Sequence, residues 1–277
     1  MKWLFVLFLA IIIFGGAAWF GYNFVFKEDI QVAKEQRGEV TPEPRIDLSL
    51  PEFEAAAKLR QEGKVPEARA ALAAYVQKYP TSPSADAAKD LLGEVNISIF
   101  LSRTPSPEKE EYVVKPGDVI NKVAHKMKTT PELIMRMNNM SSTMLHIGEH
   151  LLVSHPDFAI VVQRKQNLLT LLNHGGFFKQ YHIHELKVPA KASKVQTKVA
   201  EVMAWRDGKR VGFGTKEFIG STRWIRLGSQ TYTIYAVPDS AHQVVQQPPP
   251  QGIGLPAADV EELSSLVNKT TSVTITD

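Results

Sequence analysis

The sequence predicts a multidomain α+β protein: a single N-terminal transmembrane helix, a short α-helical repeat, a βααβ module, and a mainly-β domain with one C-terminal helix. Three observations carry that expectation. An uncharged apolar run extends from Trp3 to Phe26. Between residues 52 and 98, alanines and larger apolar residues recur every three or four positions, the period of a helix. From Phe158 the period changes to two, the alternation of half-buried strands.

Composition narrows the functional classes. A chain of 277 residues, 44% hydrophobic and 22% charged, suits about two globular domains and excludes a disordered, collagen-like or polytopic membrane protein. Lys plus Arg number 32 against 29 Asp plus Glu, and no dense basic stripe exists, which argues against a nucleic-acid partner. The chain contains no cysteine, so disulfides, thiolate metal sites and thiol nucleophiles are all excluded.

The first element is the run Trp3–Phe26. As a helix it would reach roughly 36 Å, enough to cross a hydrocarbon core of about 30 Å with some tilt. Trp3 at one end and Trp19, Phe20 and Tyr22 near the other suit the two interfaces. The competing reading is a signal peptide with Gly16-Ala17-Ala18 as its cleavage site, but the chain stays apolar well past Ala18. Residues 1–26 are therefore expected to be an anchor or uncleaved signal, in the bacterial cell membrane, with residues 27–277 on its outer side. Residues 27–51, charged and then Pro-rich, read as a linker.

Next comes a helical segment, 52–98. Phe53, Ala56, Ala57 and Leu59 share a face before Gly63; Ala68, Leu72, Tyr75, Val76 and Tyr79 follow Pro66; Ala85, Ala88, Leu91, Leu92 and Val95 form a third stripe. The string EGKVPEARAALAAYVQKYPTSPSADAAKDLLG resembles tetratricopeptide-like repeats of bacterial envelope proteins. That implies either a spacer hairpin or a docking surface for a protein partner. Residues 99–110 read as a second linker.

Residues 111–154 predict a short strand Tyr112–Val114, a Pro116-Gly117-Asp118 turn in which Asp118 caps the next helix, and a helix burying Val119, Ile120, Val123, Ala124 and Met127. A second helix capped by Thr130 buries Leu133, Ile134 and Met137, and a strand Leu151–Val153 returns after Gly148. This βααβ unit resembles the LysM domain: Tyr112, Val114, Gly117-Asp118, Ile120 to Ala124, Leu133 to Asn138, Ile147-Gly148, Leu151 and Val153 all fall in its register. It departs at Val119, where the family usually has Thr, and at Asn139-Met140, where Pro or Gly is common. The resemblance implies binding of peptidoglycan or another N-acetylglucosamine polymer, in a groove between two loops. Transferred residue by residue, the groove comprises Gly117, Asp118, Val119 and Ile120 with Met144, Leu145, His146 and Ile147. The alternative for Val119, Met144 and Ile147 is ordinary core packing, and Ile147 in particular is expected in the core.

Residues 157–277 predict strands at 158–162, 168–172, 177–183, 198–205, 224–227, 232–237 and 273–276, with a hairpin turn at His174-Gly175-Gly176 and one helix, Ala257–Val267. FAIVVQRKQNLLTLLNHGGFFKQYHI, FIGSTRWIRL and ADVEELSSLVNKTTSVTITD resemble the opening hairpin, the approach to the active site and the closing helix and strand of the L,D-transpeptidase catalytic domain. In that family a Cys attacks the acyl donor, a His takes its proton and an Arg holds the peptide carboxylate. In this sequence those three positions fall on Gly252, Tyr235 and Gly254. Glycine has no attacking group, and a phenol is a weak base at neutral pH. Gln246-Gln247-Pro248-Pro249-Pro250-Gln251 stands where the reactive loop would be. Ser240 is placed too early for a substitute nucleophile, and His242 has none to activate. No third ligand accompanies His182 and His184, so neither a metal nor a cofactor is expected. Trp205 and Trp224 read as core.

The sequence-level conclusion is a membrane-anchored, non-catalytic peptidoglycan-binding protein of the cell envelope. Two alternatives stay open: an L,D-transpeptidase-like enzyme with a relocated active site, and a partner-binding regulator of wall-synthesis enzymes acting through residues 52–98.

Overall fold

The computed structural model describes residues 47–104, 106–188, 194–228, 232–238, 249 and 251–277. The expected span 3–26, most of the linker behind it, Ser240, His242 and most of the Gln-Pro loop lie outside these residues. Among the described residues no helix is long and apolar enough to cross a membrane. Residues 48–277 form one compact unit.

The unit opens with three helices, α1 (Leu50–Gln61), α2 (Val65–Lys78) and α3 (Ala85–Phe100). Pro51 and Pro66 occupy first-turn positions, where the missing N–H costs nothing, and Gly63 at φ +76 stops α1 as expected. Ala56, Leu72, Tyr75, Ala88, Leu92 and Val95 are their shared core.

α3 corrects the expected boundary at residue 98. It continues to Phe100 because it is apolar on two faces: Leu92, Val95 and Ile99 turn to the helical core, Ile97 and Phe100 to the β domain. The Phe100 ring meets Phe158 and Phe178 edge-on, with centroids 5.7 and 5.4 Å apart. Asn96 Nδ2 donates to the Phe178 carbonyl at 2.7 Å, and a Cβ on Gly93 would fall 2.8 Å from Lys179 Cγ. The helical segment is thus seated on the sheet and does not stand off as a spacer.

The βααβ module follows: β1 (Lys109–Val113), α4 (Ile120–Lys126), α5 (Pro131–Met137) and β2 (His150–Ser154). β1 and β2 are antiparallel, with Tyr112 opposite Leu151. Its core is Tyr112, Val114, Ile120, Val123, Ala124, Met127, Ile134, Leu151 and Val153. Thr130 caps α5 by accepting from the Leu133 N–H at 2.9 Å. Asn138 ties α5 to β2, donating to the Ile134 and Leu152 carbonyls and accepting from the Leu152 N–H. α5 serves two cores at once: Ile134 faces the module, whereas Leu133 and Met137 are fully buried in the β-domain core.

The β domain contains β3 (Phe158–Gln163), β4 (Leu168–Asn173), β5 (Gly176–His182), β6 (Glu185–Lys187), β7 (Lys194–Arg206), β8 (Lys209–Val211), β9 (Thr222–Leu227), β10 (Thr233–Val237), β11 (Gly252–Pro256), α6 (Ala257–Leu266) and β12 (Ser272–Thr276). The sheet runs β5-β4-β3-β12-β7-β9-β10-β11-β6, with β8 on β7. His174 and Gly175, both at positive φ, make the two-residue turn between the paired Asn173 and Gly176. β6, β8 and β11 were not expected. β11 pairs in parallel with β10 and leads directly into α6, whose Val260, Leu263 and Leu266 fill the core.

Candidate functional site

Two places bear the residues singled out by sequence. The first is the end of the β1–β2 ladder. Val114 N–H donates to the Glu149 carbonyl and Gly148 N–H to the Val114 carbonyl, so the loop leaving β1 and the loop entering β2 lie at the same end. Along the chain, Gly117–Ile120 follow that end of β1 and Met144–Ile147 precede that end of β2.

The core reading of three of these residues is corrected: Val119 is 51% exposed, Met144 67% and Ile147 72%. Local backbone explains why. Val119 occupies the extended position before α4, at φ −129 and ψ 150, so it falls off the inward stripe that begins at Ile120. The second loop is closed by Gly148 at φ +83 and by Glu149 Oε2, which accepts the His146 N–H at 3.0 Å. Those constraints leave Met144 and Ile147 turned to water. Ile120 is buried in the module core, and Leu145 is partly buried against it, so neither offers its side chain to a ligand. Gly117, at φ +81, and His146 are exposed.

Asp118 does not cap α4; no side chain bonds that helix start. Its Oδ2 instead accepts the Lys115 N–H at 2.8 Å and the Tyr112 hydroxyl at 2.7 Å, clamping the turn to β1. Those two donors, the backbone N–H first, hold its carboxyl below the usual aspartate range. The first loop is therefore preorganised.

The second place is the β10–β11 edge. Tyr235 and Gly254 are direct partners in the parallel ladder, and Gly252 faces Thr233. Tyr235 is fully buried among Met203, Trp224 and Val237, with the Trp205 ring tilted against Trp224 at a centroid distance of 5.7 Å. The tryptophans are packing residues, as expected. The Tyr235 hydroxyl donates to Glu185 Oε2 at 2.7 Å, and Lys187 Nζ donates to the same oxygen at 2.8 Å. Burial, and then the bond to Glu185, push the phenol above its ordinary range. A Cβ on Gly252 would overlap the Thr233 carbonyl oxygen; one on Gly254 would fall 2.6 Å from Val237 Cγ1 and 2.9 Å from Glu185 Cβ. β6, which sequence reasoning missed, supplies both Glu185 and Lys187.

His182 and His184 are exposed, and His182 Nε2 pairs with Asp90 at 3.0 Å, joining the sheet to α3. Among the described residues no three His, Asp or Glu side chains converge as a metal site.

Residues 112–154 match the LysM domain family model. No curated protein matches the chain in sequence. The fold is similar to several solved L,D-transpeptidases. One is the L,D-transpeptidase from Mycobacterium smegmatis, at TM-score 0.30 and 11% identity over 47% of this chain and 64% of that one. Another is L,D-transpeptidase 1 of Mycobacterium tuberculosis, at TM-score 0.31 and 10% identity over 47% and 68%. A third is an L,D-transpeptidase mutant from Enterococcus faecium, at TM-score 0.29 and 13% identity over 52% and 59%. The chain spans less than two thirds of the first and third of these.

Proposed function

We propose that this chain is an envelope protein that binds N-acetylglucosamine-containing glycan, above all peptidoglycan, through its LysM module. The observation that carries the reading is the exposed apolar trio Val119, Met144 and Ile147, displayed on two braced loops at one end of the β1–β2 ladder. Apolar side chains on a rigid rim pack on sugar faces, while nearby backbone N–H and C=O groups bond N-acetyl substituents. Gly117 lets the first loop's backbone come close to a sugar because no side chain stands in the way. Membrane attachment through residues 3–26 would hold the module on the outer side of the membrane, within reach of the wall.

We propose further that the β domain performs no acyl transfer. The positions that the resemblance gives to the nucleophile and the carboxylate-binding Arg are Gly252 and Gly254, both with no room for a side chain. Tyr235, at the base position, is buried and already donating to Glu185. A general base must be free to accept the proton it takes. What remains in the β domain is a platform, and Leu133, Met137, Ile97 and Phe100 bind module and helices to it.

Sedimentation of the full chain with purified peptidoglycan, compared with Met144→Asp/Ile147→Asp, tests the first proposal; equal pelleting of both proteins would refute it. Deleting the module is unsuited to this purpose, because Leu133 and Met137 would leave the β-domain core with it. Intact-mass measurement after exposure to a carbapenem and to muropeptides tests the second, and a covalent adduct or any turnover would overturn it.

A further inference from the structure

Charge is unevenly spread over this chain. Between Lys115 and Lys128 stand four lysines, His125 and a single acid, Asp118, so this stretch carries a formal +3, as much as the whole chain. The rest of the sequence is balanced. Along the chain these lysines are separate singles; folding gathers them. α4 turns Ile120, Val123 and Ala124 into the module core and leaves Asn121, Lys122, His125 and Lys126 exposed on its other side. Lys115 and Lys128 are exposed before and after the helix. Asn268 Nδ2 donates to the Lys128 carbonyl at 3.4 Å, which brings exposed Lys269 of the β domain to the same helix end.

No carboxylate of the fold answers these cations. Elsewhere Lys64, Lys78, Lys89, Lys179 and Lys187 each hold a carboxylate within 3.2 Å. Among the described residues, Lys115, Lys122, Lys126, Lys128 and Lys269 hold none. Lys122 reaches the Gly117 carbonyl at 3.3 Å and Lys126 lies 5.1 Å over the Tyr112 ring, both neutral partners. Asp118 is bound into the turn by the Tyr112 hydroxyl and the Lys115 N–H. Like charges on one helix face repel, so the face is complementary to an extended anionic partner.

Its chemistry narrows that partner. The stretch has lysines and no arginine, hydrated point charges in place of the planar fork that orients one carboxylate or phosphate. The lysines stand on the outer side of a helix and not along a groove that would hold a polymer strand. A plane of anionic headgroups meets such a face without needing a pocket. Twenty residues separate Phe26 from Asp47, at most about 70 Å of chain, so attachment through residues 3–26 would keep the face near a bilayer.

We propose that the α4 face docks on the phosphate headgroups of an anionic membrane surface and lays the module against the bilayer. The inference goes beyond the glycan reading of the rim and draws on the proposed attachment for proximity alone.

The chain has no cysteine, so Asn121→Cys gives a single labelling position on this face. The full chain, with a fluorophore there, is reconstituted in vesicles of phosphatidylcholine alone or mixed with phosphatidylglycerol, each containing a headgroup-spin-labelled lipid as quencher. Each lysine near an anionic surface multiplies binding by roughly five. Quenching is therefore expected to be at least about fivefold stronger in the anionic vesicles at low salt, and to fall to the neutral-vesicle level in Lys122→Gln/Lys126→Gln/Lys128→Gln. In the unaltered face about 1 M NaCl should abolish the difference by screening. Equal quenching in the two vesicles, or a difference that survives high salt or the triple variant, would overturn the inference. Equal quenching together with tight binding of soluble polyphosphate would give the face to a polymer and overturn it as well. Flotation of the chain with anionic vesicles but not with neutral ones would refute attachment through residues 3–26 and support the docking face.

Discussion

At the rim of the LysM module three large apolar side chains face water; at the β10–β11 edge every side chain is packed, and two glycines mark where backbone leaves no room for more. The first lies at the end of a strand pair and the second in the middle of one, and family resemblance assigns a ligand to each. The contrast teaches how local backbone decides which side chains face water and which are packed. At the rim, bonds from Asp118 to the Tyr112 hydroxyl and from Glu149 to the His146 N–H fix the backbone on which three large apolar side chains stand exposed. At β10–β11, glycine at two ladder positions and a buried tyrosine let strand pair closely with strand.

The sharpest way to break the comparison is Gly252→Cys, which puts a thiol at the position that the resemblance gives to the nucleophile. Because its Cβ would overlap the Thr233 carbonyl oxygen, the change is expected to cost about 3 kcal/mol or more in urea unfolding. A variant as stable as the parent would mean that β11 is free to move off β10. Leu133→Ala, at a fully buried position on the module's helix, should cost about 3 kcal/mol. Module and β domain should still unfold together; two separate transitions would show that α5 does not join their cores.

Tyr235→Phe removes one hydrogen bond but leaves Glu185 paired with Lys187, so a loss of about 1 kcal/mol is expected. A much larger loss would point to a further duty for that hydroxyl. The smallest effect concerns the rim itself. Asp118 has a carboxyl held below its ordinary range, so its stabilisation is complete above a pH of about 4 and is lost as pH falls through the lowered folded value. Asp118→Asn should flatten the acid side of a plot of Tm against pH, and an unchanged slope would contradict the clamp.

Much of this architecture was legible because local and tertiary preferences agree. The β3–β5 meander alternates along β3 and most of β4 and turns at His174-Gly175, and Thr130 sits where a helix needs its cap. The misreadings have physical causes. Val119 follows the helical spacing of its neighbours, yet stands one residue before the helix and takes an extended backbone. Gly252-Ile253-Gly254-Leu255-Pro256 reads as loop, because nothing local announces a strand that glycine permits only through close approach to β10. β6 and β8 are three residues each, too short for periodicity to register. α3 passes its expected end because Ile97 and Phe100 answer to a sheet more than fifty residues further along the chain. At the candidate site, the LysM module itself was readable from its register, but which side chains its loops expose was not, since that depends on Gly148 and Glu149 closing the second loop.

Of all measurements, titration of the full chain with chitotetraose, with and without Met144→Asp/Ile147→Asp, bears most directly on the claim that recognition resides in the exposed rim. Both positions are more than 60% exposed, so the double variant should keep its Tm while its affinity falls by more than about tenfold. Undiminished binding by a fully folded double variant would contradict the account.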